Sequence, residues 1–149
     1  MSLAEDFWDL LGSWSGVEEQ AASPWAPGSH ARAALTFKLD LDGTAVVQDY
    51  RRVREDGGEL TAHGVLLADP AAPGAVLWWL FDSYGHPPDV ARGAWSGPLL
   101  TLARPGRSGT AHHRFRLEPD RLAYEIDVAL GGSEPVPFLR GRYERVSGH

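Results

Sequence analysis

Leu11-Gly12-Ser13-Trp14-Ser15-Gly16 is the stretch that decides the fold. A short apolar segment with helical spacing leads into it. From Gly12 onward nearly every segment alternates like a strand and ends on turn residues. A tryptophan two residues beyond the glycine that opens the first strand is expected to plug one end of a closed sheet.

Upstream, Leu3, Phe7, Trp8, Leu10 and Leu11 fall at spacings that place several of them on one face of a helix. Ser2 is positioned as its N-cap, with Glu5 completing a capping box, and Gly12 stops it. A helix over Leu3 to Leu11 is too short to stand alone and is expected to lie over one end of the barrel.

Downstream, Gly12 to Gln20 is the first strand, and Ala21 to Ser29, with Trp25 and two prolines, is a loop. In Ala31 to Leu41, Ala33, Leu35, Phe37, Leu39 and Leu41 alternate with Ala34, Thr36, Lys38 and Asp40. Asp42-Gly43 is the strongest hairpin signal and leads into Thr44 to Glu55, which ends on Asp56-Gly57-Gly58. Further strands are expected at Glu59 to Ala68, Ala75 to Phe81, Val90 to Trp95, Leu99 to Ala103, Thr110 to Leu117, Arg121 to Leu130 and Phe138 to Val146. That makes about ten strands at the spacing of an all-β sandwich or barrel, joined by short turns. Successive strands should therefore be antiparallel neighbours, and closing the meander removes its two edges. The expectation is a single domain over 1–149, an up-and-down antiparallel barrel with room for an internal cavity.

Composition bounds the function. A net charge of −6 argues against nucleic acid as a partner, because phosphate binding needs a basic surface. The absence of cysteine excludes disulfides, thiolate metal sites and a cysteine nucleophile. No apolar run approaches the ~20 residues of a membrane span, and the acidic start is unlike a signal peptide, so a cytoplasmic protein is expected. Thirteen arginines against the single Lys38, and no asparagine, fit a GC-rich coding sequence.

Gly12-Ser13-Trp14, following a short helix, resembles the calycin signature shared by lipocalins and fatty-acid-binding proteins. Together with Gly64 to Asp69, Leu80 to Gly85, Gly93 to Gly97 and Tyr143-Glu144-Arg145, the chain resembles a bacterial family of calycin-like barrels of unknown function. The resemblance implies that Trp14 packs near one barrel end under a basic residue of the last strand, with Arg145 first and Arg142 second for that role. More distantly the chain is similar to nitrobindin-like haem-binding barrels, in which a wall histidine ligates iron. The closing segment Phe138 to Val146 holds no histidine, so no haem ligand carries over.

The interior is read from alternation. His112 and His113 point to opposite faces, and His113, sharing its face with Phe115 and Leu117, is the inward one. Tyr124, Ile126 and Val128 should face in, with Glu125 and Asp127 on a solvated outer face. Tyr143 shares the facing of Arg145. One of Trp78 and Trp79 must face inward, and Trp95 can join it. Either Tyr50 and Arg52 or Arg51 faces in, where an arginine could hold an anionic head group. His63 is open to both faces. Trp14, Phe37, Tyr50, Arg51, Arg52, His63, Trp78, Trp79, Trp95, His113, Phe115, Tyr124 and Tyr143 are thus the candidate cavity residues.

No histidine spacing supports a metal site, no glycine-rich loop precedes a helix, and Trp14 and Trp95 stand where a nucleophile elbow would have serine. The function expected is binding of a small apolar or amphipathic molecule, with no catalytic residues assigned and no cofactor. The alternatives are haem held through His113 or His63, or a barrel isomerase or hydrolase using Asp82, His86 or His113. Asp82 is first of all placed to cap the Ser83-Tyr84-Gly85 turn.

Overall fold

A computed structural model describes residues 2–23, 27–106 and 109–147. Among them the chain forms a helix, α1 (Leu3–Phe7), and ten strands: β1 (Gly12–Gln20), β2 (Ser29–Asp40), β3 (Ala45–Arg54), β4 (Glu59–Ala68) and β5 (Ala75–Asp82), then β6 (Ala91–Ser96), β7 (Leu99–Pro105), β8 (Gly109–Glu118), β9 (Arg121–Leu130) and β10 (Val136–Ser147). Every strand pairs antiparallel with its successor, and β1 pairs with β10, so the meander closes and no edge is left. The expected all-β, ten-stranded barrel is the observed one. Part of the loop expected at Ala21 to Ser29, including Trp25, lies outside the described residues.

The helix is shorter than its apolar spacing predicts. The Ser2–Glu5 capping box is present, but α1 ends at Phe7, whose carbonyl accepts from both Leu10 and Leu11. That turn drops Leu10 and Leu11 into the barrel mouth, where both are buried, and leaves Trp8 exposed. Leu41, expected to end β2 facing inward, instead sits exposed in the hairpin turn. The hairpin closes at Asp40 and Ala45 over four residues where Asp42-Gly43 alone is expected, and Leu41, Asp42 and Gly43 are all left-handed there (φ 51°, 56° and 80°).

Trp14 and Arg145 are register partners across β1 and β10, and the guanidinium lies 4.2 Å from the indole centroid. Trp14 Nε1 donates to the Leu10 carbonyl at 2.9 Å, and Arg145 donates to the carbonyls of Leu11 at 2.8 Å and Asp9 at 2.6 Å. Arg145 thus covers the indole and fixes the chain that leaves α1. The helix end is sealed by Phe7, Leu10, Trp14, Phe37, Leu100 and Phe115, all nearly or fully buried.

Gly16 has a steric reason to be glycine. A Cβ there would lie 2.0 Å from the Arg142 carbonyl oxygen, so β1 and β10 approach more closely than any side chain allows.

Candidate functional site

Towards the other end the interior opens into a cavity of about 250 Å³, reached from solvent. Leu60, Ala62, Leu80, Ile126 and Leu139 supply its apolar wall. Gln20, Gln48, Tyr50, Arg52, His113 and Tyr124 supply its polar one, with Arg54, Asp82, Tyr84, Arg104 and Phe138 around them.

The core of the polar wall is Glu18, 1% exposed at the inward position that follows Trp14 and Gly16 along β1. Its carboxylate accepts from Tyr50 Oη at 2.5 Å, from Arg52 Nε at 3.0 Å and from the Tyr143 hydroxyl. Arg52 Nη1 also donates to Gln20 Oε1 at 3.0 Å, while the buried Arg52 Nη2 has no partner. Burial, and then the adjacent Glu18 charge, push the Tyr50, Tyr143 and Tyr124 phenols up, so all three stay protonated donors.

A second polar pair stands across the cavity. His113 Nδ1 and the Tyr124 hydroxyl are 2.6 Å apart, and the buried His113 Nε2 has no partner. Burial pushes the imidazole down to about 3, with the Arg104 and His112 charges adding to the shift, so His113 is neutral. Below this pair Phe115 stacks on Tyr124 (centroids 4.3 Å apart), and Trp78 meets His113 edge-on at 4.8 Å. Trp78 Nε1 donates to Gln48 Oε1 at 3.0 Å. A Cβ on Gly64 would collide with both groups, so that glycine makes room for the bond.

Strand register settles the orientations that alternation leaves open. Of the candidates, Tyr50, Arg52, His113 and Tyr124 line the cavity, while Trp78, Phe115 and Tyr143 back it. Arg51 is corrected: it faces outward and pairs with Glu59 at 2.7 Å. His63 is corrected too, since it lies on the outer face against Asp49 at 2.8 Å. Trp79 alternates with the inward Trp78 and so points away from the interior. Trp14, Phe37 and Trp95 belong to the sealed end, where Trp95 packs edge-on against Phe7 at 5.4 Å. Glu125 and Asp127 face outward but are half-buried by Arg114 and Arg140. Although burial opposes it, those two arginines hold the Asp127 carboxyl below its ordinary value.

Glu18, Gln48 and Arg104 are the site residues that sequence reasoning passed over. Glu18 had a signal: it continues the inward Gly12, Trp14, Gly16 series, but Glu19 beside it makes the segment resemble a solvated strand end.

No protein-family model matches the chain, and a search of curated proteins finds no match. Solved structures do match. The crystal structure of Rv2717c from M. tuberculosis is similar at a TM-score of 0.77 and 18% identity, covering 97% of each chain. An S-type phycobiliprotein lyase, CpeS from Guillardia theta, is similar at a TM-score of 0.71 and 13% identity, over 100% of this chain and 95% of that one. The likeness is one of fold.

Two alternatives meet this geometry directly. For haem, with His63 outside, His113 is the histidine among the described residues that lines the cavity. The cavity that it lines holds about 250 Å³, below the ~300–1,000 Å³ of pockets for drug-sized ligands. The enzyme alternative draws on Asp82, His86 or His113, of which Asp82 and His113 line the cavity. Asp82 accepts from Tyr84 N at 3.0 Å as a turn cap, and His86 is exposed beside a separate groove. Among the described residues no three His, Asp or Glu side chains are grouped to hold a metal, and no helix is long and apolar enough to cross a membrane.

Proposed function

We propose that this protein binds a small amphipathic molecule, which enters at the end away from α1 and seats its apolar body against Leu60, Leu80 and Ile126. The observation that carries this reading is the cavity itself, which opens to solvent and combines apolar side chains with a few placed polar ones. Pockets that hold small molecules share this make-up, mostly apolar with a few placed polar groups. The same barrel fold serves a phycobiliprotein lyase in Guillardia theta, which is in keeping with a fold that carries ligand chemistry.

The test is saturable uptake of a neutral apolar fluorophore, N-phenyl-1-naphthylamine, followed by its emission and by quenching of tryptophan. Trp78, in contact with His113, stands close enough to the cavity to report. Uptake is expected in the native chain and lost in Ala62→Trp, which fills the cavity from its wall. Exclusion of the probe, or uptake indifferent to Ala62→Trp in a folded variant, overturns the reading.

A further inference from the structure

The polar atoms of the pocket are unevenly satisfied. Its side-chain acceptors, and those of Glu18 behind it, are mostly taken: both Glu18 oxygens, Gln20 Oε1, Gln48 Oε1 and Asp82 Oδ1 each accept a hydrogen bond, and Asp82 Oδ2 lies 3.8 Å from Arg104. Two of its donors are not. Arg52 is 7% exposed and His113 3%, and Arg52 Nη2 and His113 Nε2 both lack a partner while their side chains line the same cavity.

His113 Nε2 counts as a donor because of Tyr124. A neutral imidazole carries one N–H. If Nδ1 held it, the buried Tyr124 hydroxyl would lose the nitrogen 2.6 Å away as its acceptor. With the phenol donating to Nδ1, the hydroxyl is satisfied and the ring proton sits on Nε2. Arg104 adds a third donor at the mouth, held only at 3.5 Å from the Leu80 carbonyl and 3.8 Å from Asp82.

A ligand bringing its own N–H or O–H would meet oxygens already engaged and leave donors buried without acceptors, which costs about 1–3 kcal/mol for each group. A group with acceptors alone satisfies the wall, and a charged one gains most from a guanidinium. We infer that the natural ligand presents a carboxylate to Arg52 Nη2 and His113 Nε2–H, on a compact apolar body. This rests on the binding function proposed above and goes beyond it by naming the ligand's class.

The test compares three ligands of one shape, 2-naphthoate, 2-naphthamide and 2-acetonaphthone, by titration at pH 7. The acid is expected to bind roughly tenfold tighter than either neutral analogue, with the amide weakest. Two variants should each shrink that preference several-fold. Arg52→Lys keeps a cation beside Glu18 but removes Nη2, and His113→Phe removes Nε2. Circular dichroism and melting establish that each variant is folded, and the readout is the ratio of affinities within one variant. Equal binding of acid and ketone in the native chain, or a preference unchanged in both variants, overturns the inference. If the fluorophore enters and the ratio is near one, the ligand class alone falls. If fluorophore and naphthalenes are all excluded, the binding function falls with it.

Discussion

At the helix end of the barrel Phe7, Leu10, Trp14, Phe37 and Leu100 leave almost no surface to water, and Arg145 fastens the cover. At the other end the same inward positions carry Glu18, Gln48, Arg52 and His113, and free volume remains. One sheet runs through both ends, so the difference lies in its inward side chains and in α1 and the chain that follows it, which cover only one of them. An apolar end is stabilised by area removed from water and tolerates imperfect partners. A buried polar end is stable only where each charge and hydroxyl has its match, and that demand fixes geometry. The sealed end contributes apolar burial, and the polar end fixes the geometry of the cavity.

The largest effect should come from breaking the polar end at its centre. Glu18→Ala strands the Arg52 charge and two hydroxyls and should cost about 3–5 kcal/mol, comparable with the ~3–5 kcal/mol of Trp14→Ala at the sealed end. The comparison sharpens with a second substitution. Glu18→Leu with Arg52→Met removes both charges together and should cost far less than its two single changes summed, whereas a second apolar truncation beside Trp14→Ala recovers nothing. Denaturant titrations of the single and double variants decide it, and strict additivity at Glu18 and Arg52 would show that the two do not act as a pair.

Acid should separate the ends next. Folded His113 stays neutral down to about 3, while the unfolded chain takes up its proton near the ordinary 6.5. Between those values the unfolded state binds more protons, so stability present above 6.5 is lost as pH falls towards 3. The slope contributed is up to ~1.4 kcal/mol per pH unit. Urea midpoints from pH 7 to pH 4 should fall more steeply for the native chain than for His113→Phe. Parallel profiles would mean that His113 is protonated in the folded protein.

How far this was legible in the sequence differs between the ends in the same way. Strand count, closure and the bounds of β1, β4 and β9 follow from alternation and turn residues, which act locally. Trp14 under Arg145 at the sealed end is what the resemblance to calycins implies, not what alternation shows. The polar end is set by register between strands: Arg52 faces in because it sits opposite Ala33 and Leu60, and Trp78 because it sits opposite Leu66 and Ala91. No single strand contains that information. Glu18 was hidden for a related reason, since the partners that make its burial tolerable lie on β3 and β10.

The smallest effect belongs to the outer face, where charge pairing without burial should count for little. Glu125 meets Arg114 at 3.6 Å and Arg140 at 3.4 Å, and its side chain is 38% exposed. Asp127 holds the same two arginines more closely, at 2.5 and 3.1 Å, so both keep a partner when Glu125 is removed. Glu125→Ala should therefore change stability by no more than about 0.5 kcal/mol. Its neighbour Ile126 points through the same strand into the cavity wall, and Ile126→Ala should cost about 2 kcal/mol. That is the low end for a buried truncation, because the wall already borders free space and little new void is made. Equal costs at 125 and 126 would mean that the two faces of β9 are not divided as described. A cost near 5 kcal/mol at Ile126 would mean that the cavity closes over it, and that the polar end is filled as the helix end is.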